Sequence, residues 1–522
     1  MIYGQQQSNS DPEQLIEKLF AFQENDVNYE EQYEQLLLYF YHPLDLNKAQ
    51  KEELLSLYVL SDFQVQQFLN YRNQFGKLMS IYELQVIDGF DYATIQKMLP
   101  FVTVSENEKG NKNLVQRMFS ENNNYLLLRY ERTLEKKKGY HTPLLKPGED
   151  PPTRYLGSSG KHYARFRVSY PNDFSLGFTA EKDAGEAYLW DPEQRAFGSD
   201  FYSYHFQIKN NHNLENLIIG DYKIQYGQSL LLGAGFTVGK GAETINTVRR
   251  VNLGARPYTS VVETNFFRGI TATYQITKSL QFTPFYSNLR QDAIIKKDSS
   301  SEFISTVQQS GFHRTPSQLA AKNTVREKTY GGTLLFTNEI NNLQVGATFI
   351  NTSFNFPIRK RDAPYNQYEF SGDVNHNAGM FFNYTWQNVS LFGETARSKS
   401  GGIGAVGGMI ISLSPQLETS VVLRSYDKNF HAFQGQAFGE STRNINERGW
   451  YWGIKFKPDR KYEFTAYFDQ FTYPWLTSRI NSPSRGYEFL LRGSYQPFRN
   501  THVYLQYRQQ SKMTNPSGQD TA

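Results

Sequence analysis

From about residue 124 onward the chain consists of short runs in which every second residue is apolar and its neighbours are polar or charged. In the run GYEFLLRGSYQ, Tyr487, Phe489, Leu491, Gly493 and Tyr495 share one face, while Glu488, Leu490, Arg492, Ser494 and Gln496 share the other. The run KYEFTAYFDQ sets Tyr462, Phe464, Ala466 and Phe468 opposite Glu463, Thr465, Tyr467 and Asp469. In HYARFRVSY, Ala164, Phe166, Val168 and Tyr170 oppose Tyr163, Arg165, Arg167 and Ser169. A repeat of two belongs to strands, and aromatics on one face with charges on the other suit a wall between lipid and water. Composition agrees: 36 Tyr and 39 Phe coexist with a mean hydropathy of −0.61, because the apolar residues are interleaved with polar ones. No stretch approaches the ~18 consecutive apolar residues of a membrane helix, whereas a barrel strand shows lipid only every second residue.

The alternation marks about seventeen strands, beginning near 124, 161, 173, 200, 214, 263, 279, 328, 342, 376, 388, 400, 416, 447, 461, 485 and 501. Tight links such as Pro171-Asn172, Thr277-Lys278, Ser414-Pro415 and Pro458-Asp459 alternate with long polar ones such as 227–262, 289–327 and 427–446. Sorting of this kind fits periplasmic turns and extracellular loops, and it predicts an all-β transmembrane barrel over residues 111–522. An odd strand count would leave the seventeenth strand ending outside. The expectation is therefore a barrel incomplete at its C-terminus, with a miscounted strand as the competing reading.

Charge divides the chain. Residues 1–110 hold 7 Lys+Arg and 17 Asp+Glu, and residues 111–522 hold 48 and 34. Opposite signs point to two domains. Residues 1–11 read as a disordered lead, and 12–110 as a small all-α domain. PEQLIEKLFAFQ and NYEEQYEQLLLYFYHP have helical spacing; Asn47, Ser61 and Ser80 are candidate N-caps, and Gly76 a helix stop. There is no cysteine, so disulfides and thiolate chemistry are excluded. The start MIYGQQQSNS has neither a basic nor an apolar signal segment. An exported chain would need one removed, or a start further upstream.

The stretches LNKAQKEELLSL, FLNYRNQFGKLMSIYEL and VIDGFDYATIQKMLPFV resemble the tandem helix-hairpin-helix module of ComEA-like competence proteins. The resemblance implies hairpins that offer backbone N–H groups to DNA phosphate. The first hairpin here, through Ser61 and Asp62, has no glycine, and the second, Asp88-Gly89-Phe90, keeps one glycine between acids. Lys97 is the one base nearby. A domain ten charges negative repels a polyanion, so protein docking or occlusion of the barrel mouth is favoured over DNA uptake.

GDYKIQYGQSLLLGAGFTVGKG, residues 220–241, invites a phosphate-loop reading and fails it. A Walker loop would need glycine where Ala234 stands and a hydroxyl where Gly241 stands. Alternation of Ile218, Tyr222, Ile224 and Tyr226 with Ile219, Asp221, Lys223 and Gln225 makes it a strand feeding a glycine-rich loop. With RPYTSVVETNFFRG and SGFHRTPSQLAAKN, it is similar to blocks of a Bacteroidota outer-membrane family of helix-hairpin-helix domain-containing proteins. That similarity implies an outer-membrane place and a periplasmic helical domain, and no settled activity.

Lys240, Arg249, Arg250, Arg256, Arg268, His313 and Arg314 form a candidate basic cluster in two loops that could line or plug the lumen. The competing reading pairs them with inward carboxylates or with lipopolysaccharide phosphates. Thr315 should cap a short helix that starts at Pro316. Neither HExxH nor GxSxG occurs, and no catalytic residue, metal or cofactor is assigned. The expectation is a non-enzymatic outer-membrane protein of transport, assembly or uptake, in contact with outer-membrane lipid and a periplasmic or outer-membrane protein. DNA uptake and an outer-membrane lipid hydrolase are the alternatives.

Overall fold

In a computed structural model of the chain, most of residues 43–104 and 124–515 are described. Residues 1–35, 105–115, 142–153, 234–238 and 516–522, with a few shorter stretches, lie outside the description. The lead over 1–11, the first expected helix, most of the second and the Ser61 cap fall there, while Leu36, Tyr39 and Phe40 of the second are helical.

Seventeen strands of nine or more residues form one sheet. They are β1 Asn124–Arg132, β2 Gly160–Tyr170, β3 Phe174–Lys182, β4 Phe201–Asn211, β5 Leu214–Gln225 and β6 Phe267–Thr277. There follow β7 Leu280–Gln291, β8 Val325–Thr337, β9 Leu343–Ile358, β10 Gly372–Trp386, β11 Val389–Ser398 and β12 Ile403–Ser414. The last are β13 Leu417–Tyr426, β14 Glu447–Phe456, β15 Tyr462–Tyr473, β16 Ser484–Phe498 and β17 Thr501–Lys512. Each pairs antiparallel with the next, from β1–β2 to β16–β17. Hairpin turns fix these neighbours, since antiparallel strands need only a short link. One outward link, Lys399–Gly402, is also short, so the expected sorting of connections has an exception. The strand order curls β17 round beside β1. No residue register joins those two, however, and both are exposed on both faces along nearly their whole length. The barrel therefore has an open seam, and β1 and β17 point the same way.

The wall is inverted relative to a water-soluble sheet. Along β16, Glu488, Leu490, Arg492 and Ser494 are buried, and Tyr487, Leu491 and Tyr495 are exposed. Lumen-facing Thr271, Thr283, Thr333, Thr348, Asp469 and Arg424 are buried, and Phe178, Phe282, Leu334, Phe349, Leu423 and Trp452 face outward. A sheet with a large apolar outer surface and a hydrogen-bonded polar interior is stable against lipid and unstable against water.

The helical domain has its own core, in which Leu54, Val65, Phe68, Leu84, Ile95 and Phe101 meet. Among the described residues its helices of five or more are α1 Lys51–Leu55, α2 Asp62–Phe75 and α3 Tyr92–Met98, and Leu44–Asp45 pairs in parallel with Val102–Thr103. Gly76 ends α2 with φ +87°, its N–H bonding to Arg72 O at 3.0 Å. Ser80 opens a 3-10 turn, Ile81–Val86, with Glu83 completing a capping box. Asn47 does not cap α1. Its side chain accepts from Leu78 N–H (2.7 Å) and donates to Leu78 O (3.0 Å), fastening the front of the domain to the segment after α2.

The domain sits against the barrel end that carries the tight turns. Phe63 of α2 lines a small cavity with Gln387, Asn388, Ser390, Ser412 and Glu418 of that rim, together with Asn246. Glu53 of α1 lies 3.7 Å from Lys209 at the inner end of β4.

Candidate functional site

The lumen is occupied by the described parts, 226–233 and 239–266, of a segment that sequence patterning reads as an outer loop. Its entry is set at Gly220, whose φ of +107° lets β5 leave the wall; a Cβ there would lie 2.3 Å from Tyr204 O. β5 pairs with β4 only as far as Gly220 and with β6 as far as Tyr222, after which Tyr222–Gln225 pair with Gly254–Pro257 instead. One alternating face of the expected strand, Ile218, Tyr222, Ile224 and Tyr226, is buried along with Asp221, Lys223 and Gln225 of the other. Alternation persists here because the segment is a strand, but both of its faces meet protein.

The turn that follows is an anion cradle. Gly227 and Ser229 have φ of +63° and +62°, so successive backbone N–H groups converge on one side. Gln228 N–H and Leu230 N–H both donate to Oε2 of Glu394 on β11, at 2.6 and 3.0 Å. A Cβ on residue 227 would come within 2.5 Å of that oxygen, so the position requires glycine. Side chains of Gln228 and Asn252 reach Asn383 (3.0 Å) and Gln344 (2.7 Å), near the inner ends of β10 and β9. Further along, Thr244 Oγ1 donates to Ile454 O, and Thr244 O accepts from Ser420 and Tyr451. Val251 packs on the core of the helical domain. The segment thus touches wall strands on several sides and the domain below.

Lys240 fastens it to the opposite wall. Its ammonium lies 2.7 Å from Asp469 and 3.0 Å from Glu488 and also pairs with Glu440. Burial disfavours its charge, but Asp469, Glu440 and Glu488 outweigh that and hold its pKa above the ordinary lysine value. Arg424 bonds Glu447 (2.6 Å) and Asp469 (2.8 Å), Arg508 reaches Glu488 (2.6 Å), and Lys512 reaches Glu440 (2.5 Å). Four cations meet four carboxylates, so this part of the lumen is neutral and not basic.

The other expected cations are dispersed. Arg249 and Arg250 are buried within the segment, and Arg250 Nη1 donates to Thr247 O at 2.7 Å. Arg256 lies opposite Lys223 in the Gly254–Pro257 pairing. Arg268 grips Asp221 through two bonds of 2.6 and 2.8 Å and donates to Tyr202 O. At the outer mouth, Arg314 stacks over Phe312 at 3.8 Å and over Tyr155 at 5.1 Å. Beside it, His313 Nδ1 meets Asp200 at 2.6 Å and Nε2 meets Asp292 at 2.7 Å, while its backbone N–H donates to Glu186 (2.8 Å). Thr315 caps the short helix α4, Pro316–Ala321, and Lys322 after it pairs with Asp200 at 2.7 Å.

Burial opposes a charge on His313, but the bonds to Asp200 and Asp292 prevail and lift its pKa to about 10. Glu263 nearby is pushed well above the usual carboxylate range, by burial first and then by Asp200. Glu186, Asp200 and His313, and likewise Glu263, Asp292 and His313, are metal-ligating types within 4.8 Å of one another. With both ring nitrogens committed to carboxylates, the arrangement acts as a charged clamp. It joins the start of β4, the end of β7 and the loop before β8.

Phe63, beside the first hairpin, meets the barrel rim at the small cavity. Asp62 opens α2 and Asp88 is exposed. Gly89 (φ +85°) packs on Phe63 and its carbonyl accepts from Gln64 at 2.7 Å, with Phe90 buried behind it. Asp91, the second acid flanking Gly89, caps α3 by accepting from Thr94 N–H at 2.7 Å. Lys97 is solvent-exposed, yet partial desolvation at the mouth and then Lys457 and Lys455 pull its pKa down. The edge that the resemblance assigns to phosphate is thus turned toward the inner rim.

No protein-family model matches the chain, and no curated protein matches it in sequence. Among solved structures, Pseudomonas aeruginosa OpdQ is similar at 12% identity and a TM-score of 0.36, over 69% of this chain and 89% of that one. Escherichia coli Wzi, an outer-membrane carbohydrate-binding β-barrel of capsule assembly, is similar at 11% and 0.37, over 94% and 96%. Pseudomonas aeruginosa OccK10 (OpdN) gives 8% and 0.35. Likenesses this remote carry nothing about ligands. What sequence reasoning missed are the carboxylates Glu394, Glu440, Asp200, Asp292 and Glu263. Asp469 and Glu488 were visible as inward members of alternating runs, but without their partners.

Proposed function

We propose that the chain is a non-enzymatic outer-membrane protein of transport, assembly or uptake, held closed by its own segment 226–266 and by the acidic domain at the periplasmic mouth. The observation that carries this reading is continuity. The segment is anchored at Glu394 and Lys240, crosses to several wall strands, and meets the helical domain through Val251. Charge favours the same arrangement, since Lys209, Lys455 and Lys457 line the inner rim against Glu53 and Asp91. Phe75, Met79, Tyr82 and Val86 are exposed on the helical domain and offer an apolar surface to a periplasmic partner. DNA uptake is disfavoured because the would-be phosphate edge is turned to the barrel. The test is reconstitution of the full chain in planar bilayers: a low resting conductance is expected, rising when the anchors are cut. A wide pore in the unaltered protein would overturn this reading. Duplex DNA retarded by the full chain at low salt would restore the uptake alternative.

A further inference from the structure

The link between β3 and β4 contains a small hairpin in which Leu189–Asp191 pairs with Ala196–Gly198, Trp190 lying opposite Phe197. Loops of a barrel can fold over the lumen, stand in water, or lie against the outer wall. Tyr202 decides among these. On β4, Phe201, Ser203 and His205 are buried toward the lumen and Tyr204 is 49% exposed, so Tyr202 belongs to the outward row. Its hydroxyl donates to Phe197 O at 2.8 Å and accepts from Ser199 N–H at 2.8 Å. Its ring lies 5.8 Å from that of Phe178, an outward residue of β3 that is 46% exposed. The base of the hairpin is therefore fastened to the lipid-side surface of the wall. On its other flank, Tyr188 stands edge-on to His162 of β2, and His162 edge-on to Tyr130 of β1. Two groups of outward aromatics, Tyr130–His162–Tyr188 and Phe178–Tyr202, thus flank the base of the hairpin.

The hairpin's own aromatics are left uncovered: Trp190 is 76% exposed and Phe197 48%, the two rings in edge contact at 5.9 Å. Amphipathic rings at the end of a lipid-facing surface favour the boundary between acyl chains and headgroups.

We infer that the strand pair Leu189–Asp191 and Ala196–Gly198 is an anchor in the outer leaflet, with Trp190, Phe197 and Tyr188 inserted at the headgroup–acyl boundary of the bilayer. The committed partner is a lipid surface, and a protein partner is the alternative outcome. The surface is separate from the lumen and from the gating read above.

The chain has no cysteine, so Trp190→Cys places a single bimane label on the folded full-length protein in phospholipid vesicles. Leu423→Cys, an outward wall site, and Lys399→Cys, at an exposed outer turn, serve as lipid and water references. Lipid carrying a shallow nitroxide should quench the residue-190 label about twofold or more, with iodide having little effect, as expected for an interfacial site. Phe197→Cys should report the same if the first label disturbs folding. Iodide quenching equal to that at residue 399 overturns the inference. So does shielding from both quenchers, which would assign the surface to a protein. Failure at residue 423 as well would overturn the lipid-facing wall itself.

Discussion

The carboxylate of Glu394 and the backbone N–H of Gln228 are 166 residues apart in the chain and 2.6 Å apart in space. Among the described residues the partners of this carboxylate are backbone amides of the 227–231 turn. The glycine-rich stretch thus holds an oxyanion after all, one supplied by the opposite wall and not by a nucleotide.

Glu394→Gln keeps an acceptor but loses the charge, and charge-assisted bonds are about twice as strong as neutral ones. Glu394→Ala leaves two buried amides unpaired, at about 1–3 kcal/mol each. Single-channel conductance and proteolysis within 226–266 should therefore rise in the order wild type, Glu394→Gln, Glu394→Ala. An alanine variant as closed and as protected as wild type would dismiss Glu394 as an anchor.

Lys240→Met leaves Asp469, Glu440 and Glu488 with Arg424, Lys512 and Arg508 but takes the shared central cation from among them, so the cluster is one positive charge short. Removing one partner of a buried ion pair costs about 3–5 kcal/mol. The temperature at which the folded band disappears in semi-native electrophoresis should fall, and conductance should rise. Lys240→Arg should retain most of both.

For His313 the folded pKa of about 10 lies above the ordinary value near 6.5. A raised pKa gives stabilisation that is complete below about pH 6.5 and is lost as pH rises through about 10. Protease protection of the loop before α4 should decline over that window, and His313→Gln should flatten the decline. A wild-type profile that is level from pH 6 to 10 would contradict the clamp.

Gly89→Ala introduces a Cβ 2.8 Å from the Phe63 ring at φ +85°. Positive φ alone costs a non-glycine residue about 1 kcal/mol. Phe63 lines the contact with the rim, so the substitution should loosen docking. Cysteines placed at Glu53 and Lys209, whose charged groups lie 3.7 Å apart across the contact, are joined by a short bismaleimide and give the readout: efficient cross-linking in the parent, reduced cross-linking with Gly89→Ala.

The wall was legible in the sequence because a repeat of two survives whichever solvent lies on each side. Strand starts read from alternation fall within four residues of those observed. Helix ends at Gly76 and Thr315 were legible for a similar local reason, a residue-specific backbone need. The inward departure of β5 was not. Ile218 to Tyr226 alternate as any wall strand does, and only Gly220, with its close approach to Tyr204 O, marks the exit. For the basic residues, pairing with inward carboxylates was legible as one of two readings, but the partners were not. Lys240 and Arg268 are answered by Asp469 and Asp221, acids that only the folded wall brings to them.

Lys240 and Asp469 are 229 positions apart, and Thr244 and Ile454 are 210 apart. Contacts of such separation form late, because the chain between them must first be ordered. When β5 and β6 pair, the segment between them has no opposite wall to hold it. It settles only as β11 to β16 curl round it. The interior of this barrel is thus expected to order after its wall, by a wrapping and not an insertion.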